Sequence, residues 1–262
     1  MTKIIHAELL RLVRPRTVLL ILGGSLLFAT ISTLTVFSGA DVSGAPSRRG
    51  GATIAALERS GGGTEAFAVG ASFLGFLVFV TFIALLASEF SGGTYRALLL
   101  RDPHRLRVIV GKLVGILLVA AMAVAIAEIA TFTLSLAVAP GQDIATSSWF
   151  TLDSAIAAVR DYANVLGGVA GWAIFGTMLA VIFRSAPLAL GVGFAWAGPF
   201  ENIVVDSWSM GYRVFPGQVL ASLIRGGTLE LGIGRAAVTA VLYAGVAAMV
   251  ALVLVSRRDV TA

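Results

Sequence analysis

Two carboxylates, Glu128 and Glu201, stand inside otherwise uncharged apolar stretches of this 262-residue chain, and they are its best candidates for chemistry. A carboxylate near mid-bilayer costs several kcal/mol unless it is protonated or paired, so its presence there points to a function. Glu128 has no Arg or Lys in its own stretch. Three readings stay open for it: contact with a cationic substrate, a place at a subunit interface, or a neutral acid bonded to Thr131 or nearby backbone. Glu201 follows Pro199 and Phe200, and either structural pairing with Arg213 or a role as an extracellular gate would account for it. Other chemistry is scarce. With no cysteine there is no disulfide, thiolate metal site or Cys nucleophile. His6 and His104 lie in polar flanks, which argues against a buried histidine site, and no metal site is expected. G-x-S-x-G and H-E-x-x-H are both missing, so no enzyme activity is expected on this chain.

The elements that must carry these residues are spans. Residues 17–37, 66–88, 113–139, 162–183, 185–205 and 236–256 are long and apolar, with Glu128 and Glu201 their only carboxylates. At ~1.5 Å per residue, 21 helical residues cover ~31 Å, the thickness of a hydrocarbon core. The chain is 58% hydrophobic and 13% charged, and its polar stretches are too short to fold alone. The expectation is an all-α polytopic membrane protein, one transmembrane domain over 1–262. The first apolar run is too long for a signal peptide and no A-x-A site follows Phe37, so it reads as an uncleaved span.

With a cytoplasmic N-terminus and alternating spans, the inner flanks hold 12 Lys/Arg in 47 residues and the outer flanks 7 in 80. That bias fits retention of basic flanks inside, with both termini cytoplasmic. The net charge of +5 is thus a mark of topology, and no nucleic-acid partner is expected. The preponderance of Arg over Lys, with abundant Ala and Gly, suggests a GC-rich bacterial genome.

Residues 3–14 read as an amphipathic helix in the inner headgroup layer, with Lys3, Ala7, Arg11 and Arg14 along one face. Loop 38–65, rich in Gly, Ser and Ala, reads as flexible. Gly111-x-x-x-Gly115 and Gly167-x-x-x-Gly171 read as close packing points. Pro199 should kink or stop the fifth span. Segment 199–230 is too apolar for a solvated loop and too broken for a span, which suggests short helices in the outer leaflet with Trp208 and Tyr212 at the interface.

Between the second and third spans, Gly92-Gly93 can turn the chain and Thr94 can cap a short helix carrying Tyr95, Leu98 and Leu99 as an apolar surface. Asp102-Pro103 can end it and start the next. Three successive leucines, 98–100, in a short polar connection point to a protein partner.

Glu89-x-x-x-Gly93-Thr94-x-Arg96-x-Leu98-Leu99, followed by Arg105 and Gly111-Lys112, resembles the signature of ABC-2 type permeases, membrane subunits of bacterial ATP-binding cassette exporters. His6-Ala7-Glu8-Leu9-Leu10-Arg11-Leu12 is similar to the family's N-terminal elbow helix, and 212–220 to its re-entrant element before the last span. Asp102-Pro103-His104 departs from the family, where a small or polar residue commonly precedes Pro-x-Arg.

The resemblance implies an elbow helix, a cytoplasmic coupling helix between spans two and three, and re-entrant outer helices between spans five and six. It implies that Glu89, Gly93, Thr94, Tyr95, Arg96, Leu98, Leu99 and Arg105 couple to a separate ATPase subunit, present in two copies. A second permease copy or a homologue completes the path, in the cytoplasmic membrane. No cofactor is expected here; ATP and Mg belong to the ATPase. In agreement, no G-x-x-x-x-G-K-[ST] loop occurs, and Gly111-Lys112 runs into Leu113 with no glycine five positions earlier. Apolar spans with aromatics, Phe194 among them, suit a hydrophobic or amphipathic export substrate (drug, antibiotic, peptide or lipid) and equally lipid-facing packing. Glu128, Phe194 and Glu201 are the candidate substrate path or gate. The alternative is a stand-alone secondary transporter or channel, which predicts internal repeats and paired broken helices.

Overall fold

A computed structural model of the chain describes residues 2–40, 52–101 and 104–257. No strand occurs among them, and six helical stretches are long and apolar enough to cross a membrane. The chain is a multi-pass membrane protein.

Helix α1 (Thr2–Leu12) is followed by α2 (Pro15–Ser38), the first span, with Pro15 where a missing N–H costs nothing. Then come α3 (Ile54–Glu58), the second span α4 (Gly62–Ser91) and the short α5 (Thr94–Arg101). The third and fourth spans are α6 (Arg105–Val138) and α7 (Leu152–Phe183). The fifth is composite: α8 (Ala186–Ala195), a π-turn over Trp196–Phe200, and α9 (Glu201–Ser207). Two short helices, α10 (Gly211–Val214) and α11 (Pro216–Ile224), precede the sixth span, α12 (Ile233–Arg257).

Helix α7 is the hub. Within its apolar window 56% of residues are buried, against 22–33% in the other spans. Trp172, Ala173 and Val169 face Phe79, Phe82 and Ile83 of α4, and the Phe79 and Trp172 rings stand 4.8 Å apart. Gly176 brings the two backbones together: a Cβ there would lie 3.1 Å from Phe79 O.

Both small-residue pairs are packing points, and both seat helices that do not span. A Cβ on Gly111 would lie 2.9 Å from Ile4 Cγ2, and one on Gly115 the same distance from Glu8 Cβ, so α1 rests on the glycine face of α6. At the other pair, Gly171 lies against Leu220 of α11 and Gly167 is in ordinary contact with Leu223, while the closest approach falls on Gly168, next to Gly167, against Ile224. Val219, Leu220 and Ile224 are buried in the main core, so α11 is a core helix even though it is only nine residues long.

Several expectations need correction. The helices that carry the third and fourth spans begin at Arg105 and Leu152, well before the apolar stretches do at 113 and 162. Arg105, Arg107, Arg160 and Asp161 lower the local hydropathy without breaking the helix. At 34 residues α6 runs ~51 Å, well beyond a ~30 Å core. The fifth span does not stop at Pro199, which has no N–H to donate; its α-helix is interrupted there by the π-turn and resumes at Glu201. The Glu201 N–H reaches back five residues to Trp196 O, and this wider turn accommodates the proline ring. Part of loop 38–65 is ordered: Thr53 Oγ1 accepts from Ala56 N at 3.1 Å to cap α3, and the O of buried Leu57 accepts from Trp149 Nε1 at 2.7 Å. Residues 41–51 of that loop, and the Asp102-Pro103 junction, lie outside the described residues.

Gly115→Leu is expected to lift α1 from α6, since overpacking typically costs about 1–3 kcal/mol. The check is a lowered thermal midpoint in detergent together with faster tryptic cleavage after Arg11; unchanged cleavage would show that the glycine face is not the seat.

Candidate functional site

The end of the bundle that carries α1 and α5 is built around four buried or half-buried charges. Lys112 Nζ, on α6, donates to Glu8 Oε2 of α1 and to Glu89 Oε1 of α4, both at 2.9 Å. Arg11 donates to the same Glu89 oxygen and lies 3.5 Å from Glu8 Oε1. Glu8, Glu89 and Lys112 are buried, and two acids face two bases, so the cluster is neutral. The hydrogen bond to Glu89 raises the Arg11 pKa above its ordinary value, against the lowering effect of burial. Removing one member of such a group leaves an uncompensated buried charge, which costs far more than the intact group contributes. Three elements distant in sequence, α1, the end of α4 and the start of α6, are thereby locked together.

Helix α5 hangs from this base. Gly92 N–H returns to Ser88 O at 2.8 Å, and Gly93, at φ 72°, turns the chain in a conformation that glycine adopts without strain. Its carbonyl accepts from Ala97 N at 3.1 Å. Thr94 is therefore the first helical residue, not the cap expected from its hydroxyl. Tyr95 turns inward. Its ring lies 4.6 Å from that of Phe90 and its hydroxyl donates to Arg105 O at 3.3 Å. Burial pushes its phenol up to about 12.

The expected coupling residues thus separate into two sets. Glu89 and Tyr95 are buried and hold the base together; the Arg105 carbonyl takes part by accepting from Tyr95. Leu98 and Leu99 are half-buried against the bundle. The exposed face is Thr94, Arg96, Ala97 and Leu100, and Leu100 is 84% exposed. Sequence reading counted Leu100 in the partner-facing leucine run but not in the coupling set, and it missed Arg11 and Lys112 as partners of Glu89, with Glu8 on the same lysine. Arg11, expected on the basic face of the amphipathic helix, turns to Glu89 and Glu8 instead.

The three remaining candidates take no part in this charge cluster. Phe194, on α8, is 57% exposed with its ring 5.7 Å from that of Phe76. Glu201 is fully buried. Its carboxylate accepts from Trp196 Nε1 at 2.7 Å and from the backbone N–H groups of Gly217 and Gln218 at 3.2 Å each. The acid therefore caps the N-terminus of α11, where exposed N–H groups and the helix dipole favour a negative group. Pairing with Arg213 does not occur: the Arg213 Nε donates to Glu230 O instead. Glu128, on α6, lines a groove of about 640 Å³ between α6 and α7, and its Oε1 is buried with no hydrogen-bond partner among the described residues. A separate polar cavity of about 720 Å³ near the same end is lined by Arg59, Arg225, Asp161 and Glu230 among others. Burial lowers the Arg225 guanidinium, whose Nε donates to Ser72 Oγ at 3.1 Å.

Among the described residues no group of three His, Cys, Asp or Glu side chains could hold a metal ion. The sequence model of a family described as a protein of unknown function, DUF2705, matches residues 55–261 of the chain. No curated protein matches it.

Lys112→Met is expected to destabilise the fold by about 3–5 kcal/mol, by leaving Glu8 and Glu89 face to face. The triple variant Glu8→Gln, Glu89→Gln, Lys112→Met should recover most of that loss in denaturant titrations, and a triple variant as weak as the single one would refute the charge explanation. A second expectation concerns pH. Below pH ~10 the Tyr95 phenol is protonated in folded and unfolded chains alike. Between there and about 12 only the unfolded phenol ionises, so stability falls as pH rises through that window. The difference between wild type and Tyr95→Phe, followed by phenolate absorbance and thermal midpoint, reads this directly.

Proposed function

We propose that this chain, which belongs to DUF2705, a family of proteins of unknown function, is the permease subunit of an ATP-binding cassette exporter of the ABC-2 type. In this reading α1 is the elbow helix on the inner leaflet, α5 is the coupling helix, and α10 and α11 are the re-entrant elements on the outer side. Both chain ends then face the cytoplasm, the membrane is the cytoplasmic one, and the bias of Lys and Arg towards those flanks agrees. A second permease copy or a homologue completes the path. Two ATPase subunits carry ATP and Mg and supply the hydrolysis.

The observation that carries the reading is the exposed face of α5 on a buried, hydrogen-bonded base. Arg96 and Leu100 are four residues apart and so share one side of the helix, with Ala97 between them. An exposed leucine beside an arginine suits a groove on a protein partner, since the apolar side chain gains by burial and Arg is enriched in such contacts. The base behind it supports force transfer: Tyr95 is tied to Arg105 and Phe90, and the cluster ties α4 to α6 and α1.

The test is co-purification with an ATPase subunit encoded nearby, followed by ATPase assays in lipid. Wild type should stimulate turnover. Leu100→Asp with Arg96→Glu should abolish stimulation while leaving the thermal midpoint within ~1 °C, because both side chains are solvent-facing. Full stimulation by that double variant would remove α5 from the interface, and cargo movement by the chain alone on an ion gradient would reject the class.

A further inference from the structure

The groove beside Glu128 has one unmet chemical demand. Its other polar groups are already engaged. Thr64 Oγ1 donates to Asp161 Oδ2 at 2.8 Å, Tyr162 OH to Ala121 O at 3.2 Å, and Trp149 Nε1 to Leu57 O. Ser154 Oγ accepts from Gly61 N at 3.0 Å, and Thr151 Oγ1 donates to Ser148 O at 3.0 Å. Only Glu128 Oε1 is left without a partner. Such an atom in a low-dielectric setting calls for a donor, and a charged donor answers it best.

The rest of the lining is apolar or aromatic, including Ile129, Phe132, Phe150, Ala158 and Val159. It contains no Arg or Lys, so a phosphate or carboxylate on the occupant would have nothing to meet. The volume falls in the range of ~300–1,000 Å³ typical of small-molecule sites. Aromatic faces beside a carboxylate add attraction for a cation.

From this we infer that the α6–α7 groove binds an amphiphile with a hydrocarbon body and a primary ammonium head, its N–H groups donating to Glu128. The inference deepens the exporter reading by giving a cargo class, and rests on it only for the direction of transport. The groove lies away from α1 and α5, at the end where α3 and the turn at Ser147–Phe150 close the bundle. Phe150 and Val159 are 70% and 69% exposed at its rim, so an alkyl chain can slide in from the side.

The experiment is saturable binding of radiolabelled hexadecylammonium to the purified chain in phosphatidylcholine nanodiscs, with unlabelled hexadecanol as the chain-matched neutral competitor. Wild type should prefer the ammonium by roughly tenfold or more, the scale of a charged hydrogen bond. Glu128→Gln should bring that preference to within about twofold, and comparing the ratio in both proteins cancels partitioning into the bilayer. Ala158→Trp, which fills the groove, should abolish saturable binding of both and guards against loss of the Gln variant to misfolding. An unchanged ratio in Glu128→Gln, binding that survives Ala158→Trp, or a dimer that Ala158→Trp dissociates with no saturable ligand would each overturn the inference. Because no ATPase enters the assay, its failure is distinguishable from failure of the exporter reading.

Discussion

A buried lysine decides the shape of one whole end of this molecule. Lys112 cannot be taken out of water alone, and the two carboxylates that accept its hydrogen bonds come from different parts of the chain. Meeting that requirement brings α1 under α6 and holds the end of α4 beside both. Arg11 then neutralises the second acid. The short α5 leaves this assembly with Tyr95 already docked, so its outer face is presented at a fixed angle rather than on a loose loop.

The glycine pairs complete the same design by geometry instead of charge. Between two spans in lipid there is little hydrophobic drive, and close approach through small residues takes over. Here the small residues admit helices of a different kind. Gly111 and Gly115 make room for α1, and Gly168 and Gly171 for α11. Each short helix is fixed by one carboxylate as well: Glu8 holds α1 to Lys112, and Glu201 holds the start of α11 through two backbone N–H groups. The two ends of the bundle thus solve one problem in the same way, a shallow glycine seat plus one directed polar bond.

Much of this was legible beforehand, and the reasons for the exceptions are physical. Six spans in order follow from hydropathy alone, and the turn at Gly92-Gly93 from the two glycines. Span limits do not, because a helix continues through Arg105 or Arg160 as readily as through leucine while the hydropathy falls. The partners of Glu89 lie 78 and 23 residues away, with no local pattern to join them. Pairing of Glu201 with Arg213 is one of two readings the sequence leaves open, and the structure gives the acid the Trp196 indole and two backbone N–H groups instead, the latter leaving no trace in residue identity. Which leucine of 98–100 faces outward depends on where Tyr95 turns, and that depends on Phe90 and Arg105. The lack of a base near Glu128 is readable in the sequence; that Thr131 donates to Ala127 O rather than to it, and the groove it lines, are not.

The π-turn at Trp196–Phe200 reaches beyond its own five residues. A turn that closes on the fifth residue holds one more amino acid than its neighbours, and one amino acid is worth about 100° of azimuth. Everything downstream in the fifth span is therefore rotated by that angle relative to an uninterrupted screw. Glu201 is the first side chain after the offset, and it is this phase shift that swings it off the lipid-facing circumference and beneath Gly217. A proline usually regarded as a blemish in a hydrophobic rod serves here as its angular setting.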